Sequence, residues 1–178
     1  MKWILTLISL SFSSLLFSQK YISVASKVGF FSEAPIENIT AVNSKSTSAI
    51  DISNGKMAFS VPIQYFVFDK SLMQEHFNDQ YMESDKFPKS TFVGQINNFN
   101  PEIKEEQKVI AKGKLLIHGI EKDVSVEGTI KLDKKSVVID SEFFVRLEDY
   151  GIKIPQIVWQ NIAEEIKIKI HFEYEPFK

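Results

Sequence analysis

From residue 21 onward apolar and polar residues alternate with a period of two, in segments of about ten residues separated by turn residues. Such a pattern predicts an all-β barrel or sandwich. Eight strands are expected, the first over residues 21–31 and the second over residues 36–53, a long polar-rich stretch with a break near Asn43-Ser44. Asn54-Gly55 is the residue pair of a type I′ hairpin turn, and the third strand beyond it puts Met57, Phe59, Val61, Ile63 and Tyr65 on one face. Later strands cover residues 90–99, 108–117, 123–132, 137–147 and 165–174. The last is the cleanest, with Ile166, Ile168, Ile170, Phe172 and Tyr174 facing one way and Glu165, Lys167, Lys169, His171 and Glu173 the other.

Two stretches break the alternation. After the third strand, Leu72, Met73, His76 and Phe77 fall on one face of a short amphipathic helix, which Pro88 ends by forcing Phe87 out of the helical region. Before the last strand, residues 148–164 form a long connection with Pro155 and Trp159 that reads as a lid or plug over one barrel end. Gly94, Gly113 and Gly128 lie inside strands, where a missing side chain marks a bulge, a corner or a close approach.

Composition adds a compartment and removes several functions. Met1-Lys2-Trp3 leads into the apolar run ILTLISLSFSSLLF, too short and too serine-rich for a membrane span, so residues 1–18 read as a signal peptide cleaved near Ser18-Gln19. An uncleaved anchor is the alternative. The remaining stretch, residues 20–178, is one domain of about 160 residues, enough for a sizeable core. With no cysteine, neither a lipoprotein anchor nor a disulfide is available, so the expected location is periplasmic or secreted, without stable membrane insertion after cleavage. A formal charge of −2 with no basic block argues against nucleic acid as a partner. Fifteen phenylalanines, many at alternate strand positions, point to a large apolar interior.

Catalytic chemistry finds little support. The obvious constellation is His76, Glu75 and His118, but adjacent helical residues point about 100° apart, whereas shared ligands want i, i+4 spacing. No third ligand, nucleophile elbow or phosphate loop accompanies them, so no catalytic residue, metal or cofactor is assigned. His76 is expected to tie its own helical turn to a neighbouring loop, and His171 to sit on the charged outer face.

The interior set carries the functional reading instead. An eight-stranded barrel either fills its lumen with side chains or keeps room for one small ligand. Phe59, Val61, Phe92, Leu115, Ile117, Val126, Phe143 and Val145 are the candidate residues around an apolar tail. At about 0.8 kcal/mol per buried CH₂, a chain of a dozen carbons reaches micromolar affinity after entropic costs.

The block LMQEHFNDQYMESDKFPKSTFVG at residues 72–94, the turn IHGIEKDV at 117–124, the Asp149-Tyr150-Gly151-Ile152 corner, and Phe31, Ala34, Ile39 and Asn43 together resemble the YceI-like family in its Bacteroidetes-style variant. The resemblance covers nearly all of the chain after residue 20. It implies an exported, lipocalin-like, eight-stranded antiparallel barrel that holds a polyisoprenoid or similar long-chain amphiphile without catalysis. Where the family carries Thr-Lys-Pro after its HGV-like turn, this chain has Glu121-Lys122-Asp123, so ligand identity does not transfer. Two alternatives stand beside the carrier: an enzyme acting on a lipid-like substrate through His76, Glu75 or His118, and an envelope stress or interaction scaffold with a filled barrel. A homodimer is left open.

Overall fold

A sheet with bulky apolar residues at every second position can bury that face by curling until its first and last strands meet. The structure, a computed structural model, describes residues 20–133, 135–155 and 162–177. It contains β1 (Lys20–Ser32), β2 (Ile39–Asn43), β3 (Thr47–Asp51), β4 (Lys56–Pro62), β5 (Val67–Phe68), β6 (Lys89–Asn97), β7 (Gln107–Ile117), β8 (Ile120–Leu132), β9 (Val137–Arg146) and β10 (Glu165–Pro176). Helix α1 (Ser71–His76) continues into a π-helical turn, Phe77–Tyr81, between β5 and β6.

These segments form eight walls. β2 and β3 both run antiparallel to β1, β2 along its second half and β3 against Lys20–Ile22, so together they are one interrupted wall. β4 and β5 are the next, pairing with β3 and β2 in turn. Neighbours then pair antiparallel in sequence from β6 to β10, and β10 closes on β1. The eight-stranded antiparallel barrel with a short helix after its third wall is thus the one of the two all-β folds open to the alternation that the family resemblance implies. Residues 1–18, assigned to a signal peptide, and Trp159 in the lid-like connection lie outside the described residues.

The two interruptions have identifiable causes. Between β2 and β3 the buried Asn43, 0% exposed, donates from Nδ2 to the Pro62 carbonyl at 2.7 Å. Its Oδ1 accepts from the Lys45 amide at 2.8 Å and the Ser46 hydroxyl at 3.2 Å, which holds the chain in the predicted break. Between β4 and β5 a 3₁₀ turn, Ile63–Tyr65, adds two residues to its wall. Thr47 pairs with Ser60, but Ala41 pairs with Phe68 where an unbroken ladder would bring it to Phe66. The expected single face from Met57 to Tyr65 therefore ends early, with Ile63 buried and Tyr65 exposed.

One turn differs from expectation. Asn54-Gly55 is not a two-residue type I′ turn: β3 and β4 are joined by four residues, and only Gly55 has positive φ, at 71°. The Asp51 carboxylate organises this loop by accepting from the Ser53 amide and the Asn54 side chain, and that local chemistry outcompetes the tighter turn. The two-residue turn with both φ positive, as type I′ requires, is His118-Gly119, at 49° and 76°, between β7 and β8.

Away from the helix, the hairpin end of the barrel, which carries the β3–β4, β6–β7 and β8–β9 connections, is closely packed. Ile50, Ile130, Val137 and Phe172 are buried there. The Tyr174 hydroxyl lies 2.8 Å from Ser48 Oγ. Because the Ser48 hydroxyl already donates to the Ala58 carbonyl at 2.9 Å, Tyr174 is the donor, and burial pushes its phenol far above the usual range. Phe92 lies flat against its own wall because Gly94 and the facing Gly113 leave room: a Cβ on either would meet Cζ of the ring at 2.5 Å and 2.9 Å.

Candidate functional site

The helix half of the barrel contains a cavity of about 270 Å³. Its walls are the inward positions of seven of the eight barrel walls, among them Val61 on β4, Ile117 on β7, Val145 on β9 and Ile168 on β10. Each points inward for the reason the alternation predicts, since residues two apart on a strand share a face. The helix side of the cavity is formed by Met73, His76, Phe77, Tyr81 and Met82.

Four aromatic rings seat the helix on the barrel. Phe77 lies 5.4 Å from Phe30, 5.5 Å from Phe66 and 5.0 Å from Phe68, within the 4.5–7 Å range typical of attractive aromatic contacts. The helix then widens: the Met82 amide donates five residues back to the Phe77 carbonyl at 2.8 Å, and this wider turn directs Tyr81 and Met82 to the cavity. Met73, His76 and Phe77 share one face, as expected, and it looks onto the cavity, but Leu72, also assigned to that face, is 60% exposed.

Polar groups on the cavity wall are few. Ser32 is buried and accepts from the Ala163 amide at 2.9 Å, while Ser90 lies at the start of β6. Burial raises the Tyr81 phenol above its ordinary range. The His76 side chain makes no hydrogen bond with any described residue and lines the cavity, so it does not tie its turn to a neighbouring loop.

That tying role belongs to His118, which is only 12% exposed. Its Nδ1 donates to the Tyr150 carbonyl at 3.1 Å, and its Nε2 pairs with the Glu83 carboxylate at 2.9 Å. Its ring meets Phe87 edge-on at 4.5 Å. The β7–β8 turn is thereby fastened to the segment after the helix and to the 147–151 corner. Gly119 completes this junction, since a Cβ there would fall 2.5 Å from the Phe87 ring.

The three residues of the enzyme hypothesis do not converge. His76 faces the cavity, Glu75 is exposed, and His118 is engaged at the turn. Among the described residues no group of three or more His, Cys, Asp or Glu could hold a metal ion. His171 sits on the outer wall as predicted, where its Nδ1 is 2.7 Å from Asp140 and its Nε2 3.2 Å from Glu173.

Of the predicted ligand-contacting residues, Phe59, Val61, Leu115, Ile117, Phe143 and Val145 line the larger cavity. Phe92 and Val126 do not; they line a separate void of about 50 Å³ toward the hairpin end. Ile168, inward by its parity in the cleanest strand, lines the same cavity. Phe66 and Phe68 were not legible, because the 3₁₀ turn resets the parity of their wall.

A sequence model of the YceI-like domain matches residues 20–174. No curated protein matches. Among solved structures, BcnA from Burkholderia cenocepacia is 18% identical with a TM-score of 0.71, over 83% of this chain and 95% of that one. A polyisoprenoid binding domain from Saccharophagus degradans, implicated in plant cell wall breakdown, is 13% identical with a TM-score of 0.75, over 88% of this chain and 98% of that one. A YceI protein from Campylobacter jejuni is 16% identical with a TM-score of 0.61, over 75% of this chain and 81% of that one. At these identities the likeness to solved structures is one of fold.

Proposed function

This chain belongs to the YceI-like family, and from that premise we propose that it is a non-catalytic carrier that holds a polyisoprenoid or similar long-chain amphiphile in the helix half of its barrel. The observation that carries the reading is the cavity of about 270 Å³, walled almost entirely by apolar side chains. A cavity with so few polar partners has little to offer a polar ligand, whereas each buried methylene contributes about 0.8 kcal/mol. Phe59, Val61, Leu115, Ile117, Phe143 and Val145 contact the tail, and His76 and Tyr81 are the groups placed to meet a polar head on the helix side. The polyisoprenoid binding of the Saccharophagus domain, on a shared fold, supports the same ligand class.

The carrier works in the periplasm or outside the cell after loss of residues 1–18. Among the described residues no helix is long and apolar enough to cross a membrane. The enzyme reading is weaker because His118 is occupied and Glu75 faces away from the cavity.

The test is native mass spectrometry of the mature protein from its own host, followed by organic extraction. A discrete bound mass that yields a prenyl or acyl chain supports the carrier. Val61→Phe, which fills part of the cavity, should then lose at least about tenfold in affinity for the extracted lipid, the equivalent of two buried methylenes. A protein that is empty and ignores added prenyl chains overturns the carrier in favour of a scaffold.

A further inference from the structure

Resting on the carrier reading, we infer that a side-chain floor set by Phe59 limits the part of a ligand this barrel can bury to about ten carbons, so that chain length is selected inside the lumen. Phe59, Leu115, Phe143 and Ile170 line both the larger cavity and the small void, and therefore form the partition between them. The partition is braced from below. Phe59 and Phe92 face each other across β4 and β6 and stack at 5.3 Å with 18° between ring planes, and Phe59 also lies 5.9 Å from Phe172. Phe92 in turn is held flat by the glycine pair beneath it, and Phe172 is fully buried. Phe59 thus has firm support on one side and the cavity on the other.

The length follows from volume. An apolar cavity of about 150 Å³ accommodates benzene, roughly 25 Å³ per carbon, so about 270 Å³ takes on the order of ten carbons. A short amphiphile fits whole; a longer isoprenoid inserts only its end and leaves the rest outside. Removing the Phe59 ring opens the partition and joins the void of about 50 Å³ to the cavity.

The experiment titrates the mature protein with straight-chain primary alcohols from about six to about twenty carbons, followed calorimetrically, with circular dichroism to confirm folding. At about 0.8 kcal/mol per methylene, affinity should rise about fourfold per carbon up to about ten carbons and then level off. Phe59→Ala should move the levelling point out by about six to eight carbons, the ring plus the void. Phe59→Leu, which keeps an apolar side chain and tests the same point if the alanine variant fails to fold, should move it by about half as much. A rise that continues past about fifteen carbons in the unaltered protein overturns the floor while leaving the carrier intact. A levelling point unmoved in a folded Phe59 variant does the same. Failure to bind any alcohol overturns the carrier reading itself, and the floor with it.

Discussion

The two ends of this barrel are built from the same inward-facing residue classes on the same walls, yet the hairpin end keeps only a void of about 50 Å³ while the helix end holds a cavity of about 270 Å³. At the hairpin end Phe172 and Tyr174 are fully buried in a lumen that side chains can fill, with Phe92 flat against its wall. At the helix end two walls are interrupted, by the Asn43 break and by the 3₁₀ turn at Ile63–Tyr65, and the aromatic residues Phe30, Phe66 and Phe68 gather around Phe77 of the helix rather than filling the lumen. Aromatic content therefore does not decide whether a barrel is full. What decides it is whether the rings point across the lumen or are drawn to its rim by another element.

The largest effect should come from truncating one residue at each end. Phe172→Ala leaves a hole in close packing and should cost roughly 3–5 kcal/mol in denaturant unfolding, whereas Ile168→Ala only enlarges space already present and should cost about 1–2. Equal losses would mean that the two ends do not differ in packing. Asn43→Ala removes the partner of the buried Pro62 carbonyl and releases the break, and should cost about 2–3 kcal/mol. It should also weaken uptake of a long-chain ligand, a coupling that a substitution at the hairpin end would lack.

Two glycines provide a finer contrast. A methyl at Gly94 would sit 2.4 Å from the Lys112 carbonyl, which only backbone movement can relieve, so Gly94→Ala should cost about 2 kcal/mol. Gly119→Ala, at φ 76° against the edge of the Phe87 ring, should cost about 1 kcal/mol and loosen the junction held by His118.

The smallest effect concerns the outer wall. Asp140 first, and then Glu173, raise His171 above its ordinary value of 6.5, against a partial desolvation. A raised pKa in the folded state gives a contribution fully present below about 6.5 that disappears as pH rises through the folded value. Exposure and solvent screening hold this to a few tenths of a kcal/mol, and His171→Gln should flatten that part of the stability profile without touching ligand uptake.

Much of this was legible in the chain because period-two alternation is a local property. The face of β10 and the inward set on β7 to β9 follow from it, as do six residues that line the cavity, from Phe59 to Val145, and the helix shows where the alternation gives way to helical spacing. Phe92 and Val126 share that parity and were assigned to the ligand on it, but parity gives the side of the wall and not the height along the lumen. His76 and His118 exchanged roles for a related reason: a ring nitrogen finds its partner on whatever segment folds beside it, and Glu83 and Tyr150 lie 35 and 32 residues from His118.

The sequence by itself determined the class of fold, the direction of nearly every strand side chain and the apolar character of the interior, because each depends on residues two to four apart. Only the tertiary structure decided where the barrel stays empty and where it is closed. That outcome depends on which rings meet across walls distant in sequence, as Phe59 does with Phe92 and Phe172, and on a two-residue offset that no periodicity announces.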